Sequence, residues 1–412
     1  MAGKTGNSCY ELILNYNCNA KCAFCSQGSF DRSLNAPFSA VSRNIYTAYK
    51  TGYRRLGFTG GEPLISPHIL KAIALGKSVG FDFIRVQTNG IKLADPAFCA
   101  ALVKAGLTFC KFSFTTDDPS VHDRLVGVPG AWSRAVKGMG NLRELKIRLG
   151  TNILVNKHNY RRLPEIIRSF VEKGLTNFVV IYPVYIGSMA ANASKIGVSL
   201  PAAEKYFIKA VEVMDGAGLA GEILFLNTPP CFLKGRENLA IGLDLFNTVV
   251  TDPNGKRTDL DFSANEAKVY GAACRGCSLK TRCKGVDENY ARIWGFKGFT
   301  PVKHEGSGSG RPPAGGKVFF SDNERCLMEI LRIKKEASTV EVLKLSKKIV
   351  LCRDCSDGNA VMNSAQKLIE KGFVSSRFSR GKFYWSLKKG PPGHPAPENM
   401  NITAPGDVAG LF

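Results

Sequence analysis

The chain has 412 residues, of which 44% are hydrophobic and 22% are charged, and its formal net charge is +22. This composition is typical of a globular protein long enough for two or three domains. It argues against a membrane protein, because no apolar run approaches the roughly 20 residues of a membrane-spanning helix. The N-terminus lacks the apolar segment of a secretory signal, so we expect a cytoplasmic protein. The positive charge favours an anionic partner, most simply nucleic acid, over a generally basic surface.

The first 190 residues alternate between short apolar runs and helical patterns. The apolar runs predict strands at 10–16, 54–63, 81–90, 109–118, 147–156 and 176–185. The helical patterns fall at 38–51, 67–78, 95–105, 130–145 and 160–173. Such alternation predicts an α/β fold with a parallel sheet of βαβ units. Residues that carry chemistry are then expected at the carboxyl ends of the strands.

The remainder of the chain divides into segments of different character. Residues 191–303 are less regular, and residues 304–317 form a linker rich in Gly, Ser and Pro. Three helical patterns and two strands around a tight turn occupy 318–389, which predicts a winged helix. The Pro- and Gly-rich tail at 390–412 is expected to be disordered. The sequence therefore predicts a barrel-like domain at 1–190, an extension, a linker, a winged helix and a tail.

Three of the thirteen cysteines stand close together behind the first predicted strand. Cys18, Cys22 and Cys25 have the spacing C-x3-C-x2-C, which in a reducing compartment indicates metal or iron–sulfur ligation rather than disulfides. Three thiolates can each bind one iron of a [4Fe–4S] cluster and leave the fourth iron open to another ligand. A structural zinc site would need a fourth Cys or His close by, and the neighbouring sequence has none.

This triplet, followed by TGGEP at 59–63, resembles the radical S-adenosylmethionine (radical SAM) superfamily over roughly residues 8–303. Phe24 occupies the aromatic position before the last cysteine that this family favours. The resemblance implies a partial (β/α)6 TIM-like barrel in which the three cysteines hold a [4Fe–4S] cluster and SAM chelates the open iron. An electron donor such as flavodoxin or ferredoxin would reduce the cluster. SAM would then be cleaved to methionine and a 5′-deoxyadenosyl radical, which abstracts hydrogen from the substrate.

The same resemblance implies cofactor-binding residues at the strand ends. Gly60 and Gly61 would let the backbone approach SAM closely, and Glu62 would accept a hydrogen bond from its ammonium group. Ser113 lies where the family often places a polar residue that contacts ribose, and Asn152 is a similar candidate. Further candidates are the segment QTNG, from Gln87 to Gly90, for the sulfonium end or the substrate, then Asp117, and Tyr182 beside the adenine. Ordinary polar side chains of strand-end loops are an equally good explanation for Ser113, Asp117 and Asn152.

A second group of cysteines has the spacing C-x2-C-x5-C. It consists of Cys274, Cys277 and Cys283. By itself it could bind zinc. Behind a radical SAM core it is similar to the SPASM and twitch extensions, which hold auxiliary [4Fe–4S] clusters. Asp287 stands where the full SPASM pattern has another cysteine, so one auxiliary cluster is expected rather than two. Cys231 is the first candidate for its fourth ligand, ahead of Cys326 or an iron left open for substrate.

The predicted wing is basic and aromatic. Arg377, Arg380 and Lys382 fall on or beside it, among Phe and Trp residues. This mixture suits contacts with phosphates and stacking on bases. The alternative is a small aromatic core with a solvated basic face. Some radical SAM enzymes that modify ribosomally made peptides carry a similar module that captures a leader peptide by strand addition, and a role in assembly alone is a further alternative.

The sequence therefore predicts a radical SAM enzyme with a macromolecular substrate. A peptide or protein precursor ranks first, because extensions of this type usually accompany such substrates. RNA or a nucleotide-derived substrate ranks second on the charge and the wing, and a small metabolite third. A non-enzymatic DNA-binding iron–sulfur sensor would explain the cysteines and the wing, but would leave TGGEP and the six βα units without a role.

Overall fold

The structure is a computed structural model, and it describes residues 9–242, 248–260, 267–280, 283–303, 322–346, 358–379 and 382–388. The chain divides into two compact units, one formed by residues 8–304 and the other including residues 305–412. None of the described helices combines the length and the apolar character that a membrane span needs.

Six parallel strands follow one another in chain order through the larger unit. They are β1 (Cys9–Ile13), β2 (Arg55–Thr59), β3 (Phe83–Thr88), β4 (Phe109–Ser113), β5 (Arg148–Leu154) and β6 (Asn177–Ile181). Each strand pairs in parallel with the next. The helices between them are α1 (Phe38–Lys50), α2 (Ile69–Val79), α3 (Pro96–Ala105), α4 (Pro119–Val126), α5 (Ala131–Glu144) and α6 (Leu163–Glu172). The predicted α/β fold with a parallel sheet is confirmed.

The sheet continues at both edges beyond these six strands. Two short helices, α7 (Gly187–Ala191) and α8 (Ala193–Ile196), and the longer helix α9 (Leu200–Gly216) lead from β6 to the next strand. On that side β7 (Ile223–Leu226) and β8 (Ala240–Ile241) add in parallel. On the other side β9 (Thr248–Thr251) pairs in parallel with β1, and β10 (Arg257–Asp259) pairs antiparallel with β9. Residues of the predicted extension therefore belong to the same ten-stranded sheet as the first six strands.

A small antiparallel ribbon follows the sheet in the chain. It consists of β11 (Lys268–Val269) and β12 (Val286–Asp287), and helix α10 (Glu288–Trp294) comes directly after it. Asp287, the residue that replaces a SPASM cysteine, caps this helix because its carboxylate accepts from the backbone N–H of Asn289 at 3.0 Å. An aspartate at this position satisfies one of the free N–H groups of the first turn.

One face of the sheet is apolar. Its side chains include Leu56, Phe58, Val86, Phe112 and Val180, each fully buried in one cluster with residues of the flanking helices. Burying a side chain of this size stabilises the fold by about 1.5–3 kcal/mol relative to leaving it exposed. This face accounts for the apolar runs from which the strands were predicted.

The opposite face of the sheet carries charged residues that lie in register with one another. Glu11 on β1 faces Gly57 on β2, which in turn faces Arg85 on β3, and Glu11 and Arg85 form an ion pair. Further along, Lys111 on β4 donates to Asn177 Oδ1 on β6 at 2.6 Å. Burial, and then the nearby positive charge of Arg85, lower the pKa of Lys111 to about 7. The charges on this face are thus paired or partly neutralised rather than solvated.

The described part of the smaller unit contains three helices and three strands. They are α11 (Asp322–Lys334), β13 (Glu336–Ser338), α12 (Thr339–Ser346), α13 (Gly358–Glu370), β14 (Val374–Ser379) and β15 (Lys382–Leu387). The strands form an antiparallel sheet in the order β13, β15, β14. Leu331, Ala365 and Phe373 lie in its core. The order of helices and ribbon agrees with the prediction for 318–389, while the winged-helix assignment stays a prediction. The predicted linker and tail lie outside the described residues.

Candidate functional site

The three clustered cysteines lie in the loop that follows β1, at the carboxyl edge of the sheet. The thiols of Cys18, Cys22 and Cys25 are free and partly exposed. Burial, and then the proximity of Cys18 and Cys25, raise the pKa of Cys22 to about 12. Cys22 and Cys25 share a turn in which the N–H of Cys25 donates to Cys22 O at 3.2 Å. The raised pKa of Cys22 favours its protonated thiol, so binding a metal would release a proton.

The requirements of a single metal ion and of a cluster differ at such a site. Within the described part of the chain, no three or more His, Cys, Asp or Glu side chains are arranged to hold one metal ion together. A [4Fe–4S] cluster makes a different demand, since each thiolate binds its own iron.

The TGGEP loop holds the backbone that leads into the first cysteine. The N–H of Gly61 donates to Asn15 O at 3.0 Å, and the N–H of Glu62 donates to Asn17 O at 2.8 Å. Gly60 has a φ of +123°, and a Cβ built on it would lie 2.6 Å from Asn15 O; a Cβ on Gly61 would overlap Asn17 O. The structure thus gives these glycines a role in packing against the cysteine loop, in addition to the approach to SAM that the resemblance implies.

Glu62 lies beneath this loop and is only 1% exposed. Its carboxylate accepts hydrogen bonds from Thr88 Oγ1 at 2.7 Å, from the N–H of Asn89 at 2.8 Å and from the N–H of Leu64 at 3.0 Å. Burial raises the pKa of Glu62 to about 7, although these hydrogen bonds act in the opposite direction. Glu62 therefore ties the loop after β2 to the loop after β3, and its contact with the ammonium group of SAM stays a prediction.

Asn89 belongs to the site, although sequence reasoning gave it no role of its own. Its Nδ2 lies 3.9 Å from Cys18 Sγ and donates to Asn19 Oδ1 at 2.7 Å. Hydrogen bonds to sulfur ligands tune the reduction potential of iron–sulfur clusters. The available signal was its place in the QTNG turn at the end of β3, because the ends of neighbouring parallel strands lie at one edge of the sheet.

Phe24 supports the cysteine loop from the side of helix α4. Its partly buried ring packs in a small apolar cluster with Ile91 and Val126. Beside it the N–H of Ala23 donates to Leu125 O at 2.8 Å. In this structure Phe24 is a packing residue of the loop, and its predicted role at the cofactor is not in conflict with that contact.

The short helix α7 holds the end of the same loop. The N–H of Ser188 donates to Cys25 O at 2.9 Å, and Asn192 Nδ2 donates to Ala23 O at 3.0 Å. Gly187 has a φ of +57°, and a Cβ on it would lie 2.7 Å from Cys25 O. The connection after β6 therefore positions the third cysteine, which the sequence pattern did not indicate.

The polar candidates at the ends of β3, β4 and β5 lie on the charged face of the sheet. Ser113 and Asn152 are register partners on adjacent strands. Ser113 is exposed, whereas the half-buried Asn152 donates from Nδ2 to Gln87 Oε1 at 2.9 Å. Asp117 lies beyond β4 and forms an ion pair with the exposed Arg162 at 3.0 Å. Three of the predicted candidates, Gln87, Ser113 and Asn152, are thus brought together, and Asp117 has a different partner.

Tyr182 is buried at the end of β6. Its hydroxyl donates to Val198 O, and its ring lies 5.7 Å from that of Tyr290 on α10. Tyr185 donates to the same carbonyl at 3.3 Å and accepts from Trp294 Nε1 at 3.0 Å. These contacts join the end of β6 to α10, and the role of Tyr182 beside an adenine stays a prediction.

The second set of cysteines lines a single cavity. Its cysteines are Cys231, Cys274, Cys277 and Cys283. Cys231 follows β7 and comes from more than forty residues upstream of the others. Burial, and then the three other cysteines, raise the pKa of its thiol to about 12. The rest of the lining is largely apolar and includes Leu279, Phe296 and Phe299. Cys326, the other candidate ligand, lies in the smaller unit and is disulfide-bonded.

The basic candidates on the predicted wing are only partly described. Arg377 on β14 donates to Glu336 Oε2 at 3.0 Å, and its guanidinium lies 5.0 Å from the centre of the Tyr384 ring. Arg380 lies outside the described residues, as does the side chain of Lys382. The one described cation of the three is thus already paired, although it is exposed.

The aromatic residues of this ribbon have two different environments. Phe378 is 63% exposed and pairs across the strands with Phe383, at 4.9 Å between ring centres. Trp385 is buried in the core of the smaller unit. Sequence reasoning treated these aromatics as one group, but only the first pair is available to a partner.

Comparison with known proteins agrees with this geometry. Residues 12–181 match the sequence profile of the Radical SAM superfamily. This match supports the assignment of the chain to the radical SAM superfamily. A PqqA peptide cyclase from Granulibacter bethesdensis is 24% identical over 246 residues, which are 59% of this chain and 64% of that protein. A probable GTP 3′,8-cyclase from Sulfurisphaera tokodaii is 28% identical over 198 residues, 45% of this chain and 61% of that protein. The relatives indicate an enzyme, and the chain spans less than two thirds of the length of each.

Two solved structures share the fold of this chain. Streptococcus suis SuiB bound to precursor peptide SuiA has a TM-score of 0.55 at 14% identity, over 72% of this chain and 75% of that chain. The anSMEcpe structure with bound AdoMet and Cp18Cys peptide has a TM-score of 0.52 at 14% identity, over 72% of this chain and 92% of that chain. At this identity the likeness shows the fold alone.

We predict that Gly61→Ala weakens the larger unit by about 1–3 kcal/mol, because the new Cβ overlaps the backbone of the cysteine loop. The metal-free protein should unfold at lower denaturant concentration, and iron uptake should fall. Gly140→Ala in α5 is the matched control, since no atom lies within 4 Å of its Cβ position. If the two variants unfold alike, the loop is not held as described.

Proposed function

We propose that residues 8–304 bind a [4Fe–4S] cluster through Cys18, Cys22 and Cys25, bind SAM at its open iron, and start radical chemistry on a substrate. When bound, the cluster and SAM supply a 5′-deoxyadenosyl radical by one-electron reductive cleavage. The observation that carries this proposal is the triplet of neighbouring thiols in a loop fixed by TGGEP, α4 and α7. A one-electron donor such as flavodoxin or ferredoxin would supply the electron.

The donor set fits the group that it would hold. Thiolates are the usual ligands of iron–sulfur clusters. Three thiolates leave the fourth iron of the cluster for SAM. The cysteine loop supplies no fourth thiolate or imidazole, so the amino and carboxylate groups of SAM, which are hard donors, would bind that iron. The polar side chains of Ser113 and Asn152 lie at the adjoining strand ends, where the adenosyl part would extend.

The residues around the triplet would position the cofactors. The TGGEP loop fixes the backbone before Cys18, and α7 fixes the backbone of Cys25. Asn89 would donate toward the sulfur of Cys18. These contacts are made by the protein's own backbone and by an amide side chain rather than by the cofactors, so they would pre-organise the loop and lower the entropy that binding must lose.

A partial barrel is supported by contacts that skip a strand. Glu11 on β1 reaches Arg85 and Gln87 on β3 across β2. Asn152 on β5 reaches Gln87 across β4. The backbones of strands two apart in a flat sheet are separated by roughly 9–10 Å, twice the strand spacing, and side chains perpendicular to such a sheet would stay that far apart. Such contacts favour a sheet that curves toward this face, as in the (β/α)6 barrel.

We further propose a single auxiliary [4Fe–4S] cluster bound by the four-cysteine cavity, as in a twitch- or SPASM-like extension. Cys231 would complete the ligand set, since it faces the same cavity as Cys274, Cys277 and Cys283. The apolar lining would keep water away from the cluster, which influences its potential. Four cysteine thiolates are also a common ligand set of structural zinc. The four described side chains are not arranged around a single ion in this structure, which favours the cluster, and metal analysis separates the two.

The proposed substrate is a peptide or protein precursor. The names of two relatives support it, since one is a PqqA peptide cyclase and the other is SuiB bound to precursor peptide SuiA. A nucleotide-derived substrate is the second candidate, because another relative is named a probable GTP 3′,8-cyclase and the chain is strongly basic. On a winged helix, the exposed rings of Phe378 and Phe383 would be available to contact either a peptide or a nucleotide-derived substrate.

Changing Cys18, Cys22 and Cys25 together to Ala should abolish production of 5′-deoxyadenosine from SAM. Iron after anaerobic reconstitution should fall from about eight to about four per chain, because only the auxiliary cluster would remain. Cys99→Ala is the matched control, since this buried cysteine lies within α3 and lines neither site. Unimpaired 5′-deoxyadenosine production by the triple variant would refute the proposal.

In the background of that triple variant, Cys231→Ala should lower the remaining iron well below about four per chain, because one of four thiolate ligands is lost. Iron and zinc are measured together after reconstitution. Retention of all of the iron would show that Cys231 is not a ligand. Zinc in place of iron in the triple variant would refute the auxiliary cluster but leave the SAM site untouched.

Substrate class is tested by binding at several salt concentrations. Synthetic copies of short peptides encoded beside the gene are compared with bulk tRNA as probes. A peptide substrate should bind with a shallow salt dependence and stimulate SAM cleavage. A steep fall in tRNA affinity with salt, together with stimulation of cleavage by tRNA, would favour the nucleic-acid alternative instead.

A further inference from the structure

The four-cysteine cavity has a tyrosine where its lining meets solvent. The described lining residues that are exposed are Tyr270, Ala273, Lys280 and Thr300. Tyr270 is the only aromatic residue among these four, and it is 43% exposed. Other parts of the lining, such as Leu279 and Val286, are buried. The exposed residues therefore mark the mouth of the cavity, and a single aromatic ring lies there.

The ring of Tyr270 lies along the loop that carries the last cysteine of the set. Its hydroxyl donates to Cys283 O at 2.7 Å. A Cβ built on Gly285 would lie 3.3 Å from Tyr270 Cε1. The hydroxyl thus reaches residue 283 while the edge of the ring reaches residue 285, so the ring spans this loop instead of pointing away from it. Lys280 Nζ lies 5.9 Å from the ring centre, within reach of a cation–π contact.

The backbone of this loop is shaped to admit the ring and to reach the sulfur. Gly285 has a φ of +77°, and a Cβ on it would lie 2.5 Å from Val269 O, so a larger residue would be strained there. The N–H of Gly285 donates to Cys283 Sγ at 3.3 Å. The hydroxyl of Tyr270 holds the carbonyl of the same cysteine. Both contacts therefore act on Cys283, one at its sulfur and the other at its backbone.

A ring at the mouth of a cluster cavity has a physical consequence. Access of solvent and hydrogen bonds to the sulfurs both set the reduction potential of an iron–sulfur cluster. Water near the cluster stabilises the additional negative charge of its reduced form, which raises the potential. A tyrosine that only stabilised the ribbon of β11 and β12 would make the same hydrogen bond without changing the access of solvent to the cavity.

We propose that Tyr270 shields the auxiliary cluster from solvent, and that its hydroxyl holds the ring over Cys283. This inference rests on the proposed auxiliary cluster, and it adds a residue that lies outside the cysteine pattern. Tyr270 is a positioning residue rather than a ligand, because its hydroxyl is bonded to the carbonyl of Cys283.

The first test uses the full-length triple variant in which Cys18, Cys22 and Cys25 are replaced by Ala, because its only cluster would be the auxiliary one. Adding Tyr270→Ala should speed the release of iron to a chelator about tenfold, a size typical of losing a residue that surrounds a metal site. Tyr270→Phe keeps the ring and should release iron at nearly the rate of the triple variant. Tyr46→Ala is the matched control, since Tyr46 is similarly exposed and lies on α1.

The second test measures the midpoint potential of the same cluster. Tyr270→Ala should raise the potential, because water would replace the ring beside Cys283. Tyr270→Phe and Tyr46→Ala should leave it unchanged. A substitution that only loosened the protein would speed the loss of iron without raising the potential, so this readout separates shielding from a purely structural role.

The third test needs no cluster, so it remains decisive if Tyr270→Ala cannot retain iron. In the metal-free full-length protein, N-ethylmaleimide should modify Cys283 faster in Tyr270→Ala than in the unaltered protein, because access limits the reaction of a thiol. The sites of modification are resolved by mass spectrometry. Cys99, which is fully buried in α3, should stay unmodified in every variant and so reports that the fold is intact.

The outcomes separate this inference from the proposed function. If Tyr270→Ala leaves iron release, potential and modification of Cys283 unchanged, the inference is wrong and the auxiliary cluster stands. Faster iron release with an unchanged potential and unchanged modification would show a structural role alone, which also refutes the inference. The same holds if Tyr270→Phe behaves like Tyr270→Ala, since the ring would then not be the shield. If the triple variant binds no iron–sulfur cluster, the proposed auxiliary cluster fails and the inference fails with it.

Discussion

The loop that carries the first three cysteines depends on backbone hydrogen bonds from its neighbours. It has no regular structure of its own, yet TGGEP binds it before Cys18, α4 binds it near Ala23, and α7 binds it at Cys25. Each contact is possible only because the partner backbone comes very close, which is why Gly60, Gly61 and Gly187 stand where they do. A parallel sheet meets this constraint, because its strand ends converge at one edge and the loops that follow them can all reach the cysteine loop.

The charged face of the sheet shows how such a structure tolerates buried polar groups. A buried charge without a partner would cost several kcal/mol, and here Glu11 meets Arg85 while Lys111 meets Asn177. The pKa of Lys111 is lowered to about 7, so its ammonium and neutral amine forms are of similar free energy near neutral pH, and part of the burial cost is avoided by loss of the proton. The result of this arrangement is a polar interior that can orient amides at its open end, which an apolar interior could not do.

The positions of the six strands and of five of the six helices between them could be predicted from the sequence, because their apolar faces leave a periodic pattern. The eight-residue helix α4 was not predicted. The added strands could not: β8 has two residues, and β10 consists of polar residues that become a strand only by pairing with β9. The charged face could not be predicted for a similar reason. Glu11 and Lys111 lie inside apolar runs, and whether each buried charge meets a partner depends on the register of neighbouring strands. Cys231 could be proposed as a ligand by its place upstream, but only the folded chain brings it to the cavity of Cys283.

The end of β3 shows how one short sequence joins these networks. Successive side chains of a strand point to opposite faces. Gln87 therefore donates to Glu11 on the charged face, while Thr88 points the other way and donates to Glu62. Asn89 lies just beyond the strand and reaches Cys18. Three consecutive residues thus connect the polar interior, the TGGEP loop and the cysteine loop. A displacement of β3 along its axis would disturb all three at once, so the geometry of the proposed cofactor site is coupled to the register of a single central strand.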